Sequence, residues 1–120
     1  MKLVTIENQF MDKPKKGQKY DPNGTHIYIY EEDKKTGKNL LIPTTHVLDP
    51  KRQPQIDNNT IMIMKLPKVK HVSGIRKKYR THDVNGDLID LNKLQAKNLN
   101  GGKAVYVPTK AAKKIKKFVK

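Results

Sequence analysis

The stretch HIYIYEEDKKTGKNLLIP, residues 26 to 43, constrains the fold more than any other part of the chain. Ile27 and Ile29 alternate with His26, Tyr28 and Tyr30, and a period of two is what a half-buried strand requires, because successive side chains leave opposite faces of the pleat. DKKTGK supplies a turn and NLLIP a returning strand, so a β-hairpin is expected from His26 to Pro43. Any fold for this chain has to accommodate an antiparallel sheet.

Other segments carry weaker versions of the same signal. KLVTIE places Leu3, Val4 and Ile6 in a short first strand, and TIMIMKLP alternates Ile61 and Ile63 with Met62 and Met64, so that both faces of that strand can be covered. VSGIRKKYRT, residues 72 to 81, suits a long strand with one polar face. LIDL and KAVYVP are further extended candidates, the latter with Val105 and Val107 opposite Ala104 and Tyr106, and NKLQAKNLNGG fits one helical turn ended by Gly101 and Gly102. Pro108 stops the last strand, and Thr109 is expected to cap a helix through KAAKKIKKFVK. In that helix Ala111, Ala112, Ile115, Phe118 and Val119 form one apolar stripe, with lysines around the rest. No acid stands in its first turn and its lysines repel one another, so it gains order by docking its stripe or by meeting a polyanion.

The expected fold is therefore mainly β, a small bent antiparallel sheet or barrel of the size of OB or SH3-like domains, followed by a C-terminal basic amphipathic helix. At 120 residues the chain fits one β-rich domain over residues 1 to 108 with the helix or tail at 109 to 120. Loops at residues 8 to 25 and 44 to 59 exceed the usual connection lengths, which marks them as functional arms or disordered segments.

Charge carries the functional signal. The chain holds 26 Lys and Arg against 11 Asp and Glu, a net +15, and its mean hydropathy is −0.81. Residues 1 to 60 contribute a net +2 and residues 61 to 120 a net +13. Two windows contain no acid: one with Lys65, Lys68, Lys70, Arg76, Lys77, Lys78 and Arg80, the other with Lys103, Lys110, Lys113, Lys114, Lys116, Lys117 and Lys120. Gathered charge of one sign repels itself until an anionic partner or salt neutralises it, whereas solubility alone needs no gathering. Nucleic acid, RNA or DNA, is the expected partner. Lys outnumbers Arg by 23 to 3, which favours phosphate contact over base-specific readout.

The footprint expected on these grounds is Lys65, Lys68, Lys70, Arg76, Lys77, Lys78, Tyr79, Arg80, Lys103, Lys110, Lys113, Lys114, Lys116 and Lys117, with Gly74 allowing close backbone approach. Tyr28 and Tyr30 have two readings: rings on which unpaired bases stack, or bulk for a core that has only two Phe and no Trp. The terminal helix has a rival reading as an anchor on an anionic membrane, weakened by its short stripe.

Other chemistries are disfavoured. Cysteine is absent, which removes disulfides, thiolate metal sites and a cysteine nucleophile. The triplets at Asn23 and Asn58 resemble glycosylation sites but carry no meaning in an intracellular protein. HDVNGDLIDL begins like a calcium loop, with Asp83, Asn85 and Asp87 at alternate positions, but Gly86 comes one residue early and Leu94 stands where the closing carboxylate belongs. Asn85–Gly86 instead signals a hairpin turn. His82, Asp83, Asp87 and Asp90 with Lys77 or Lys78 make a small metal-dependent nuclease the least favoured reading, since no second acidic cluster completes a site. No metal, cofactor, catalytic residue or small-molecule substrate is expected, and the protein is read as non-enzymatic. The first residues are too short for a signal peptide's apolar region and no stretch is long enough to span a membrane, so a cytoplasmic, nucleoid-associated or virion-associated location is expected. The alternative function is an interaction or structural subunit of a ribonucleoprotein or virus particle, or an inhibitor that covers a nucleic-acid-binding machine.

Overall fold

The computed structural model describes residues 1–11, 17, 20–33, 37–46, 60–79, 81 and 88–119. The expected turn at His82 to Asp87 lies outside them, as does Arg80. The described elements are β1 (Lys2–Glu7), β2 (Thr25–Asp33), β3 (Lys38–His46), β4 (Thr60–Met64), β5 (Ser73–Arg76), β6 (Lys97–Asn98), β7 (Val105–Tyr106) and α1 (Thr109–Phe118), with 3-10 turns at Asn8–Phe10 and Leu99–Gly101. All strand pairs are antiparallel, in the order β4-β5-β3-β2-β1-β6, and β7 joins β6 on the outer side of β1. The sheet is open: its path does not return from β6 and β7 to β4. Of the two expected forms, the bent sheet is the one adopted.

The hairpin that dominates the sequence forms, its ladder running from Tyr28↔Pro43 to Asp33↔Lys38, and its two strands extend beyond it to pair with β1 and β5. Ile29 faces Ile42 and Tyr28 faces Pro43. Pro43, which has no N–H for a ladder, stands where β3 hands over from β2 to β5, whose Ile75 pairs with Thr44. Next to that handover the Thr44 hydroxyl donates to the Ile27 carbonyl at 2.6 Å, giving a partner to an acceptor that lies beyond the last β2–β3 pair. The loops are correspondingly shorter than expected. Thr25 belongs to β2 and Thr44–His46 to β3, while Asn8 is held by its backbone N–H to the Gly24 carbonyl at 2.8 Å.

Two apolar layers sit on the two faces of the sheet. Leu3, Ile29 and Ile42 form one cross-strand row, joined by Ile75 and roofed by Leu66, Val69, Leu99, Val107 and Ile115. On the other face Val4, Ile6 and Leu41 meet Ile89, with Leu91, Leu94, Ala96, Phe10 and Met11 around them. The second layer is roofed by residues 88–96, a segment of turns that closes with the Ala96 N–H on the Leu91 carbonyl at 2.9 Å.

Three local expectations need correction. The strand expected over residues 72 to 81 is only Ser73–Arg76, because after Ile75 has filled its core position the residues Lys77 and Lys78 have nothing apolar to bury. The one helical turn expected over residues 92 to 102 is confined to the 3-10 turn Leu99–Gly101, while Asn92 to Gln95 form a non-helical turn before the chain pairs with β1. Thr109 is the first residue inside α1 and does not cap it. Pro108 occupies the cap position with no side-chain bond to the helix, and its carbonyl accepts from the Ala112 N–H at 2.9 Å.

Candidate nucleic-acid interface

The two acid-free windows are separated in sequence but roof the same face of the sheet. Leu66, Val69 and Ile75 from the first and Val107 and Ile115 from the second are buried in one cluster, with Tyr79, Ala111, Ala112 and Val119 packed against it. Burying those residues leaves the charged ones outside. Lys65, Lys68, Lys70, Lys77, Lys78, Lys103, Lys110, Lys113, Lys114, Lys116 and Lys117 are all exposed. The face roofed by residues 88–96 has a different character, because exposed Asp90 and Glu32 lie close enough to Tyr30 to act on its hydroxyl.

Lys68 is presented by a strained turn. The Val69 N–H returns to the Leu66 carbonyl at 3.3 Å, and Pro67 and Lys68 are the central residues. Lys68 has φ of 57°, so the turn has the form of a type II turn, whose third position ordinarily falls to glycine. An L side chain there costs roughly 1–2 kcal/mol. The fold keeps a cation at a position where glycine is the relaxed choice.

The helix is clamped at one point by charge. Glu31, with its side chain 12% exposed, accepts from Lys116 Nζ at 2.8 Å and from the Met1 ammonium at 2.9 Å. Burial alone pushes the Glu31 carboxyl up, but the hydrogen bonds from Lys116 and the ammonium, with their charges, hold it below the usual Glu value. Lys116 is therefore tied into the fold through Glu31.

Several other expected site residues land elsewhere. Gly74 is buried in the middle of β5, between Thr45 and Ile63, so no phosphate approaches its backbone. Alternation along β5 sends Arg76 away from the face that Ile75 occupies. Tyr28 and Tyr30 are partly buried against the second cluster, and Lys2 Nζ stands 5.8 Å from the centroid of the Tyr30 ring. Burial first, then Glu32 and Asp90, raise the pKa of Tyr30. Tyr79 packs on the first cluster, and Tyr106, 64% exposed, pairs with Lys2 and so belongs to the face opposite the helix.

Sequence reasoning missed one exposed group. Phe118 has a place in the helical stripe by spacing, but it is 49% exposed while Ala111, Ala112, Ile115 and Val119 do the docking. Phe118 falls at the margin of the stripe, where spacing alone cannot tell a docked ring from an exposed one.

For catalysis the described residues offer little. They contain no cluster of three His, Asp or Glu suited to a metal ion, and His82, Asp83 and Asp87 lie outside them. A groove of about 310 Å³ beside β1, lined by Thr5, Thr25, Ile27, Lys97, Asn98, Leu99 and Gly101, holds a lysine but no carboxylate or imidazole for proton transfer. No described helix is long and apolar enough to cross a membrane.

No protein-family model, no curated protein and no solved structure shows a significant match to this chain.

Proposed function

We propose that the protein is a non-enzymatic nucleic-acid-binding protein that contacts phosphates through its Lys-rich face and is largely indifferent to sequence. One observation carries this reading: two acid-free windows, far apart in sequence, roof the same face of one sheet and leave their lysines in solvent. Lysines on a roof of one sign raise the local potential and draw in a polyanion, whose bound counterions are released on contact. The lysine head groups form no planar fork for a base edge, which fits backbone contact better than base readout. The strain at Lys68 adds to this, since it holds a cation where stability alone favours glycine.

The test is a titration of fluorescently labelled RNA and DNA over a range of salt concentrations. Log affinity should fall linearly with log salt, by about 0.9 per neutralised phosphate on duplex DNA and about 0.7 on single strands. Changing Lys113, Lys114 and Lys117 together to Gln should weaken binding for every sequence and flatten that slope. Binding that ignores salt, or no binding to any nucleic acid, would overturn the proposal.

A further inference from the structure

We infer that Phe118 is a base-stacking residue, which makes a strand with unpaired bases the preferred ligand of the basic face; this rests on the phosphate-binding reading above. In α1 the residues Lys110, Lys114 and Phe118 are four apart and lie along one ridge of the helix surface, each about 6 Å further along the axis than the last. All three are exposed, and Lys113 and Lys117 form a parallel exposed ridge beside them. A large, half-exposed ring thus ends a row of cations where that row meets the margin of the docked face.

The docking of the helix does not account for that ring. Ile115 is fully buried, and Ala111, Ala112 and Val119 pack on the core, whereas Phe118 stays 49% exposed and does not join the cluster. A single exposed apolar residue is ordinary on a protein surface. What sets this one apart is its neighbours, because a nucleotide presents an anionic phosphate and an apolar π-face, and a lysine ridge ending in a phenyl ring answers both. The other described aromatics do not compete for the role on this face. Phe10, Tyr28 and Tyr30 are held in the second cluster, Tyr79 packs on the first, Tyr106 stands on the opposite face, and Tyr20 belongs to the loop that closes on Asn8.

In a duplex the faces of the bases are covered by stacking between rigidly held neighbouring pairs, while an unpaired strand can splay its bases and open those faces. The ring therefore adds affinity only for the unpaired strand, and the lysines add it for both.

The experiment compares a short unstructured single strand with a duplex of the same sequence, by fluorescence anisotropy at one salt concentration. The proteins are the full chain and its Phe118→Ala, Phe118→Leu and Phe118→Trp variants, with folding checked by circular dichroism and melting. Phe118→Ala should weaken single-strand binding by about 5- to 150-fold, which corresponds to the cost of losing one stacked base, and change duplex binding by less than about 2-fold. Leu, which keeps apolar bulk but has no π-face, should not rescue; Trp should. Equal loss on both ligands, or full rescue by Leu, would overturn the assignment of stacking while leaving phosphate binding intact. Absence of binding to either ligand by the wild type would overturn both readings. Vesicles containing phosphatidylserine form the last arm: a Phe118→Ala loss confined to them would assign the ring to a membrane surface and overturn the inference.

Discussion

Lys68 and Glu31 show how single residues divide between fold and surface. Glycine at position 68 relieves the left-handed strain at the cost of some chain entropy, so Lys68→Gly should leave stability unchanged or raise it by up to about 1 kcal/mol. The same change removes an exposed cation and should weaken nucleic-acid binding. A chemical denaturation curve and a binding titration on that one variant check both, and a variant that loses stability and binding together would contradict the turn geometry. Glu31 behaves in the opposite way. Its carboxyl is held below the usual Glu value in the folded state, so its contribution to stability is fully present above the unfolded value and is lost as pH falls through the folded one. Wild type should therefore lose more stability than Glu31→Gln on acidification from neutral pH to below the ordinary Glu range, and at neutral pH the variant should be less stable by roughly 1–2 kcal/mol. Neither role was legible beforehand. The meeting of Glu31 with Lys116 depends on how distant segments are brought together, whereas the turn at Lys68 is local, and Pro67 alone does not say which residue beside it takes the left-handed place.

At the scale of elements, α1 depends on its buried face and very little on its start. Ile115→Ala removes a fully buried side chain and should cost about 2–4 kcal/mol, with hydrogen exchange accelerating over residues 109–118. Thr109→Ala should cost less than about 0.5 kcal/mol, since no side-chain cap bond is made there; a loss near 1 kcal/mol in melting experiments would restore Thr109 as the cap. The β2–β3 hairpin was readable because Ile27, Ile29, Tyr28 and Tyr30 spell out a period of two over enough residues to be distinctive. Two-residue strands have no period to read. Val105–Tyr106 was legible only through the longer run KAVYVP around it, whereas Lys97–Asn98 is a strand because β1 offers it an edge, and only the three-dimensional pairing discloses that. The overlong reading of β5 has a related cause: residues 76 to 80 are four cations and one Tyr, which a polar strand face can hold but which supply no second buried layer.

At the scale of the molecule, the two acid-free windows pack their apolar residues on one face of the sheet and leave their lysines exposed. The total charge was legible from composition, and so was its concentration in one half of the chain. That both windows end on one face was not, because it follows from the pairing of β3 with β5 and of β1 with β7. Like charges on one roof repel one another when no ligand is bound, and salt screens that repulsion over about 10 Å at 0.1 M. Raising salt from low to moderate concentration should therefore raise the melting temperature of the free protein, by roughly 4 °C for each kcal/mol recovered. Differential scanning calorimetry across a salt series checks it; a fall in melting temperature would mean that ion pairs such as Glu31–Lys116 outweigh the repulsion.

The pairing of Lys2 with Tyr106 has a consequence for how such a chain is made. A ribosome adding roughly 5–20 residues each second needs on the order of 5–20 s to deliver Tyr106 after Lys2. During that interval the β2–β3 hairpin can form against β1, but the outer edge of β1 and the row Leu3, Ile29 and Ile42 have no roof. Exposed edges of that kind invite nascent chains to pair with one another. Residues 1 to 60 carry a net charge of only +2, so the repulsion that keeps neighbouring unfinished copies apart arrives mainly with the acid-free window at residues 65–80, before β7 and the helix are made.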